Sequence, residues 1–532
     1  MQKILYALYF VFILTIGISA QDVYIHISNQ SIYTFLDEMA SEKFIELNSA
    51  VKPYTRRFIA EKLDEITQHA GQLNKRQQKE LEFYLKDFNK ELKPGKTYKK
   101  RIDILYYKDS LFTFSLNPIL GIQYWNNENG SNYHRWNGAE VFAYAGKHLG
   151  VYASLRDNHE EKLLSDPAYI NTRQGAVYKA GQDFSEMRGG FIISWKWGNI
   201  GLVKDHMEWG NYYHYPSIIS GKVPSVAQIK LNLKPVRWFE FNYFHGWLVS
   251  GVVDSARSYT FTNGYGTSTR EVFFNKYMAA NLFTFKPLKN LYASIGNSVV
   301  YSADNVHPAY LIPFMLYKST DHTLSNYKSN YTGQNSQFFF DISSRQIRHL
   351  HVYASFYFDD ISFTRLKEQG RMGYNSINTG LRLSDLIPNT SVTFEYFQSY
   401  PNVYKHNMPT TTYESNFYNL GHYMLDNSRS YYLEILFKPV RGLDLKTSYH
   451  FAQHGPDHTE LGTNRIEVVN YFLDTVEWET EELALYAGYQ VINDVFVFGE
   501  VRYRNTSGDV EKYTAEYYRG ETTTFSVGLN WG

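Results

Sequence analysis

No cysteine occurs in the 532 residues. That absence removes a disulfide scaffold, thiolate metal sites and a thiol nucleophile. It also removes lipid attachment through an N-terminal cysteine, so any hold on a membrane must come from the fold. Net charge is missing too: 53 basic and 53 acidic residues cancel, and no global field draws the chain to nucleic acid or to an acidic surface. Beyond residue 20 no apolar run approaches the ~20 residues that a membrane helix requires, and mean hydropathy is −0.42. A mature chain that crosses a bilayer must therefore cross it as a barrel, because only helices and closed barrels satisfy their backbone groups in lipid. Enzyme signatures are absent as well: there is no Gly-x-Ser-x-Gly elbow, Walker loop or His-Glu-x-x-His helix.

What the chain does have is aromatic residues, 17% of the total, with 47 Tyr, 36 Phe and 9 Trp. A transmembrane barrel needs only alternate strand residues to be apolar and places many aromatics in two interfacial girdles. The first twenty residues read as a secretory leader: Lys3, an apolar stretch from Leu5 to Ile16, then Ser19-Ala20 before Gln21. The expected organisation is a signal peptide over 1–20, a helical domain over 21–100 and a barrel over 101–532.

Helical periodicity is confined to residues 31–92. Ser31 is placed to cap a helix with Ile32, Phe35, Leu36 and Met39 on its apolar face; Lys52-Pro53 interrupts. A second helix carries Phe58, Ile59, Leu63 and Ile66. Asn74 is placed to cap a third, with Leu81, Tyr84, Leu85, Phe88 and Leu92 in step, and Pro94-Gly95 stop it. Three short amphipathic helices bury little alone, so they are expected to dock at the barrel's periplasmic mouth.

From about residue 102 the period falls to two. Phe525, Val527, Leu529 and Trp531 alternate with Thr524, Ser526, Gly528 and Asn530. Such a last strand resembles the signal that barrels present to their assembly machinery, here with the aromatic penultimate before Gly532. A Lys-Pro corner occurs three times, at Lys234-Pro235-Val236-Arg237, Lys286-Pro287-Leu288-Lys289 and Lys438-Pro439-Val440-Arg441, and each is expected to be a turn. Five further short corners fall near 147–148, 198–199, 344–348, 384–389 and 493–494. Long polar stretches lie near 126–136, 158–183, 207–224, 253–268, 303–333, 361–370, 402–427, 454–478 and 506–520. Eight short turns alternating with nine long loops give an all-β transmembrane barrel of about eighteen antiparallel strands. About 430 residues over that number is ~24 per strand, of which ~10 cross the membrane.

Inward positions are polar and often charged, including Arg156, Glu434, Glu500, Arg502 and Arg504. Residues 307–317 are too apolar for an exposed loop and are expected to fold inward or to pack on the wall. His450, His454 and His458 are spaced by four, but Gly455-Pro456 intervene, so that spacing gives no shared face; no metal or cofactor is expected. Glu477, Glu479 and Glu481 share one strand face. Trp125-Asn126-Asn127 and the run from Trp209 to Tyr215 suit carbohydrate, whose C–H faces stack on aromatic rings and whose hydroxyls accept planar polar partners.

Gly198-Asn199-Ile200-Gly201-Leu202-Val203-Lys204-Asp205, then Trp209-Gly210, then Ser217 to Ser220 and Pro224, resemble the strand, "Trp-Gly" loop and re-entry of the capsule assembly (Wzi-like) outer-membrane family. The re-entry reads Ile218-Ile219-Ser220 here. Tyr33-Thr34-Phe35-Leu36 through Lys52-Pro53-Tyr54-Thr55-Arg56 resembles the helical domain preceding such barrels. The resemblance implies a non-enzymatic, eighteen-stranded outer-membrane barrel that holds capsular or other surface polysaccharide. Candidate ligand-binding residues are Lys204, Asp205 and Trp209, with Arg156, Glu500 and Arg502 in the lumen. Expected partners are surface polysaccharide, outer-membrane lipids, the barrel assembly machinery at the last strand and a periplasmic partner for the helical domain, with no nucleic acid. A channel for small solutes and an outer-membrane hydrolase, whose Ser, His and acid need no sequence proximity, are the alternatives.

Overall fold

The computed structural model describes residues 21–92, 103–179, 181–264, 266–324, 334–359, 374–458 and 472–532. The leader at 1–20, the Pro94-Gly95 stop and the stretch at 361–370 lie outside the described residues. Three helices come first: α1 (Gln30–Ser41), α2 (Arg56–Thr67) and α3 (Lys75–Leu92). At α3 the Gln77 N–H donates to Asn74 Oδ1 and the Asn74 N–H to Gln77 Oε1, both at 3.0 Å. This reciprocal cap satisfies donors that a helix start leaves free. The first helix departs from expectation, because Ser31 lies inside its first turn and Asn29 precedes it. The Asn29 and Gln30 N–H groups already bond His26 O and Ser28 O, so a turn upstream feeds directly into the helix. Phe35, Leu36, Met39, Ile59, Leu63 and Phe88 are among the core side chains of the helical unit.

Eighteen strands then close a barrel. The first six are β1 (Phe112–Asn127), β2 (Gly130–Ala145), β3 (Leu149–Glu160), β4 (Asp183–Trp195), β5 (Gly198–Asp205) and β6 (Val226–Val236). The next six are β7 (Phe239–Leu248), β8 (Lys276–Leu288), β9 (Leu291–Tyr301), β10 (Asn335–Ser344), β11 (Leu350–Phe358) and β12 (Asn375–Ser384). The last six are β13 (Thr390–Ser399), β14 (Ser428–Phe437), β15 (Leu443–His454), β16 (Trp478–Ile492), β17 (Val495–Gly508) and β18 (Glu521–Trp531). Every strand pairs antiparallel with its neighbour, and β18 returns to β1 with Trp531 opposite Leu120. The short segment Leu105–Lys108 occupies the rest of that edge of β1.

The alternation read from the sequence is the alternation of environments. On β18, Phe525, Val527 and Leu529 are exposed outward while Thr522, Thr524 and Ser526 are buried inward. Leu120, Ile122, Phe191, Ile200, Leu202, Phe340, Leu433, Ile435 and Leu485 continue the outer apolar belt. A contiguous belt of this kind far exceeds the patches of a few hundred Å² that water-soluble monomers expose.

Three connections differ from the sequence reading. β1 and β2 meet in a tight hairpin across Glu128-Asn129, with Gly130 at φ +97°, where a long stretch at 126–136 was expected. Alternation fades there although the ladder continues, because the loops cover one face and no lipid lies on the other. The first two Lys-Pro corners belong to strand ends: Pro235 closes β6 and Pro287 closes β8, each next to a register shift, and only Lys438-Pro439 is a turn. Proline donates no ladder bond, and a bulge asks for none. Of the two placements expected for residues 307–317, packing on the wall is the one found, and they do not enter the lumen. They lie on the outside of β7–β9, with Phe314 stacked on Phe241 at 4.3 Å and Tyr310 beside Tyr301. Asn281 Nδ2 donates to the carbonyls of Pro313 (2.8 Å) and Met315 (2.9 Å), and the Tyr317 N–H to Asn297 Oδ1 (2.8 Å). Two outward asparagines would be unsatisfied in hydrocarbon; the strap satisfies them and presents Leu311, Ile312, Phe314 and Leu316 outward instead.

The helical unit sits in the mouth formed by the short turns. Asp37 pairs with Arg345, Lys286 with Glu46 (2.7 Å) and Lys438 with Glu80 (3.3 Å). Arg76 Nε donates to Asn389 Oδ1 (2.9 Å). Above it, the β5–β6 loop (206–225) turns inward, and Glu208–Trp209 pairs antiparallel with Val51–Lys52 of the helical unit. The β13–β14 loop (400–427) covers that layer: the Ser220 N–H donates to Leu420 O (2.8 Å), and the hydroxyls of Tyr404 and Tyr413 donate to Ser217 O and Ile218 O. Among the described residues, three layers of chain thus fill the lumen.

Candidate functional site

Between the helical unit, the inward loop and strands β14–β18 lies a cavity of about 680 Å³. One side is an arch, Tyr212-Tyr213-His214-Tyr215. Its backbone is fixed by Glu395 on β13, whose carboxylate accepts from the N–H groups of Tyr213 (2.7 Å), His214 (3.2 Å) and Tyr215 (3.0 Å). The arch side chains are held as well. The Tyr212 hydroxyl donates to Glu208, the Tyr213 hydroxyl to Asp37, and the His214 ring stacks on Tyr432 at 4.0 Å. Lys52 Nζ sits 3.8 Å from the centre of the Tyr212 ring, and the Arg382 guanidinium 4.7 Å from that of Tyr213.

The opposite side is the barrel wall. Tyr432 donates to Glu434 (2.8 Å), Lys446 lies 3.7 Å from Glu434 and 5.3 Å from the Tyr486 ring centre, and Asp444 lines the same wall. Charges of both signs alternate with tyrosines, so the cavity offers ring faces, hydroxyls and planar ionic groups without a strong net field. Burial shapes the loop and helical side. It raises the Glu208 carboxyl against the opposing pull of Lys52, and it pushes the Lys222 ammonium down to about 7. Burial also disfavours the Asp37 carboxylate, yet Arg345 overrides it and holds that group at about 2.

The candidate residues fall into four places. Glu500 and Arg502 stand on the inward wall beside the cavity, Glu500 being the register partner of Tyr486. Arg502 bonds Glu500 (2.9 Å) and Glu482 (2.8 Å), and Arg504 bonds Glu482 (2.9 Å). Arg156 lines a smaller neighbouring cavity of about 100 Å³ and donates to the carbonyl of Gly532 (3.1 Å). Asp205 is buried, accepting from Arg188 Nε (2.6 Å) and the Tyr152 hydroxyl (2.6 Å). Trp209 is 2% exposed, edge-on to Phe244 and Phe339. Lys204 lies on the outer face of β5, donating to Met187 O (3.0 Å). The Trp125 ring is buried and Asn127 donates to Tyr517 O (3.0 Å), so this pair builds the long-loop mouth. Tyr432, Glu434, Lys446 and Tyr486 were not singled out as a set, because the pairing registers of β14, β15 and β16 decide which inward residues lie level, with Lys446 opposite Tyr486, and the arch they face comes from a distant loop.

No protein-family model matches the chain, and no curated protein matches it by sequence. Solved structures do. Wzi of Escherichia coli, described as an outer-membrane protein involved in group 1 capsule assembly and a carbohydrate-binding β-barrel, aligns over 96% of this chain and 99% of its own, with TM-score 0.55 and 11% identity. The fold is that of Wzi. OccK11 of Pseudomonas aeruginosa aligns over 80% of this chain and 99% of its own, at TM-score 0.42 and 10% identity. OprD of the same bacterium aligns over 79% and 94%, at 0.39 and 10%. The alignment with Wzi takes in the helical unit and the barrel together.

Proposed function

We propose that the chain is a non-enzymatic outer-membrane barrel of a Gram-negative bacterium that binds capsular or other surface polysaccharide and holds it at the cell surface. The observation that carries this reading is the cavity: tyrosine faces interleaved with paired charges, set in a lumen filled by the chain's own helical unit and loops. Aromatic faces stack on sugar rings, and carboxylates and guanidinium groups fix hydroxyls, most strongly as bidentate or charge-assisted hydrogen bonds. The fold shared with a carbohydrate-binding barrel supports the same reading. Tyr432, Glu434, Lys446 and Tyr486 of the cavity wall, with Arg502 and Glu500 next to them, are the proposed sugar contacts, while Asp205 and Trp209 hold the inward loop that shapes the site. A filled lumen weighs against a wide channel for small solutes.

Deletion of the gene, with cell-attached and released polysaccharide measured separately, tests the reading. A shift of polysaccharide from cell to medium is expected, with total synthesis unchanged. Normal retention would contradict it. Conductance of the purified protein in planar bilayers provides an independent check, since a large steady current is incompatible with an occupied lumen.

A further inference from the structure

His26, Glu186 and His206 come from three different parts of the chain and converge on one point. His26 lies in the segment leading to α1, Glu186 points inward from β4, and His206 opens the inward loop. Their ligand atoms all lie within 4.8 Å of one another. His206 Nε2 is 2.9 Å and His26 Nε2 is 3.5 Å from the same Glu186 oxygen, Oε1. Ligands about 2.0–2.1 Å from a tetrahedral zinc stand about 3.3 Å from each other, and the two distances bracket that value.

Two features set the cluster apart from a closed hydrogen-bond network. His26 Nε2 is enclosed and has no hydrogen-bond partner among the described residues, so a buried ring nitrogen is aimed into the cluster without a bond. On the other side of the ring, His26 Nδ1 is engaged by the Ser28 hydroxyl. A metal-bound histidine is held in this way, with its second nitrogen anchored by an outer partner. Arg188, on the same strand as Glu186, is engaged by Asp205 at 2.6 and 3.2 Å, so its charge is balanced. His26 lines both cavities and Glu186 lines the smaller one, which gives an ion a route in.

We propose that His26, Glu186 and His206 form a binding site for a divalent transition-metal ion of the zinc class, with a fourth position left for water; the Gln174 Nε2 amide, 2.9 Å from His206 Nε2, moves aside when the ion binds. Two imidazoles and one carboxylate are a ligand set for zinc and its first-row neighbours and not for magnesium or calcium, which prefer oxygen. Because the ligands come from the helical unit, the wall and the inward loop, the ion clips all three together.

The test uses the full-length protein in detergent, stripped with chelator and titrated with Co²⁺, whose visible absorption reports nitrogen coordination. One Co²⁺ per chain is expected, displaced by Zn²⁺. Outer partners of metal ligands contribute 10- to 100-fold in affinity, so loss of a ligand in His206→Ala is expected to weaken Co²⁺ binding at least about 100-fold. Glu186→Gln, which keeps size and hydrogen bonding, is expected to weaken it at least about 10-fold by the same comparison. Heat-modifiable electrophoretic mobility establishes that each variant is folded; if His206→Ala fails to fold, Glu186→Gln carries the test. Absence of stoichiometric binding, or equal binding by wild type and folded Glu186→Gln, overturns the proposal.

Discussion

Removing the Asp37 carboxylate leaves Arg345 buried under the helical unit without its counter-charge. Asp37→Ala is the perturbation. The Arg345 guanidinium keeps only Leu47 O (3.1 Å), Ser49 Oγ (3.0 Å) and the His351 ring (3.2 Å). Breaking a buried pair by removing one partner costs about 3–5 kcal/mol, and the surviving bonds put this case near the lower figure. Three kcal/mol is roughly a hundredfold shift between docked and released helical unit. Two further ion pairs, Lys286–Glu46 and Lys438–Glu80, still hold the unit, so release stays a minor state that a protease can sample. When opening is fast relative to cutting, cleavage within 21–92 tracks that population and is expected to accelerate roughly a hundredfold. The double variant Asp37→Leu/Arg345→Met removes both charges and is expected to return to within about 1 kcal/mol of wild type, since apolar replacement of a buried pair is often neutral or better. The wild type carries its own pH signature. With Asp37 held at about 2 against an ordinary 3.8, the pair stabilises fully above pH 3.8 and is lost as pH falls through 2. Cleavage of Asp37→Ala within threefold of wild type, or a double variant as labile as the single one, would refute the reasoning.

Other expectations concern different parts of the molecule. Trp209→Ala, which empties the fully packed site between Phe244 and Phe339, is expected to destabilise by about 3–5 kcal/mol in denaturant titration, with Trp209→Phe intermediate. Asn281→Leu strips the Pro313 carbonyl of its donor and leaves the Met315 carbonyl only Asn297 Nδ2 at 3.3 Å; it is expected to cost about 1–3 kcal/mol, seen as faster proteolysis of 302–324 while the barrel stays intact. Glu42 is raised from 4.5 to about 8, first by burial and then by Glu38. The folded chain therefore holds a proton that the unfolded chain has lost, so stability falls as pH rises from 4.5 to 8 and stays low above it. Glu42→Gln is expected to flatten that slope in urea titrations at pH 5, 7 and 9.

Much of the architecture was readable because each strand faces two solvents. Phe525, Val527 and Leu529 must meet lipid while Thr524 and Ser526 meet the lumen, and the period of two follows. The Asn74 cap of α3 was readable because it is local. The hairpin at Glu128-Asn129 was not, since strands that rise above the lipid lose the contrast between faces but keep their ladder. The strap at 307–317 was legible as apolar and as packed on something, but not as lying outside, because the asparagines it satisfies are on β8 and β9. At the site, Glu500 and Arg502 follow from strand parity alone. Trp209 was identified by residue type, yet its contacts with Phe244 and Phe339 bring together strands far apart in sequence. Lys204 and Asp205 are adjacent, and parity sends one outward and the other in.

Polysaccharide binding is proposed for the lumen cavity. Equilibrium binding of size-defined fragments of the bacterium's own surface polysaccharide to full-length protein tests it most directly, with Arg502→Gln and Tyr486→Ala as comparisons. Saturable binding by the wild type is expected, weakened about tenfold or more by each substitution, as loss of a charge-assisted hydrogen bond worth about 1.5–3 kcal/mol requires at Arg502. No binding by the folded wild type, or binding that both variants leave unchanged, would contradict it.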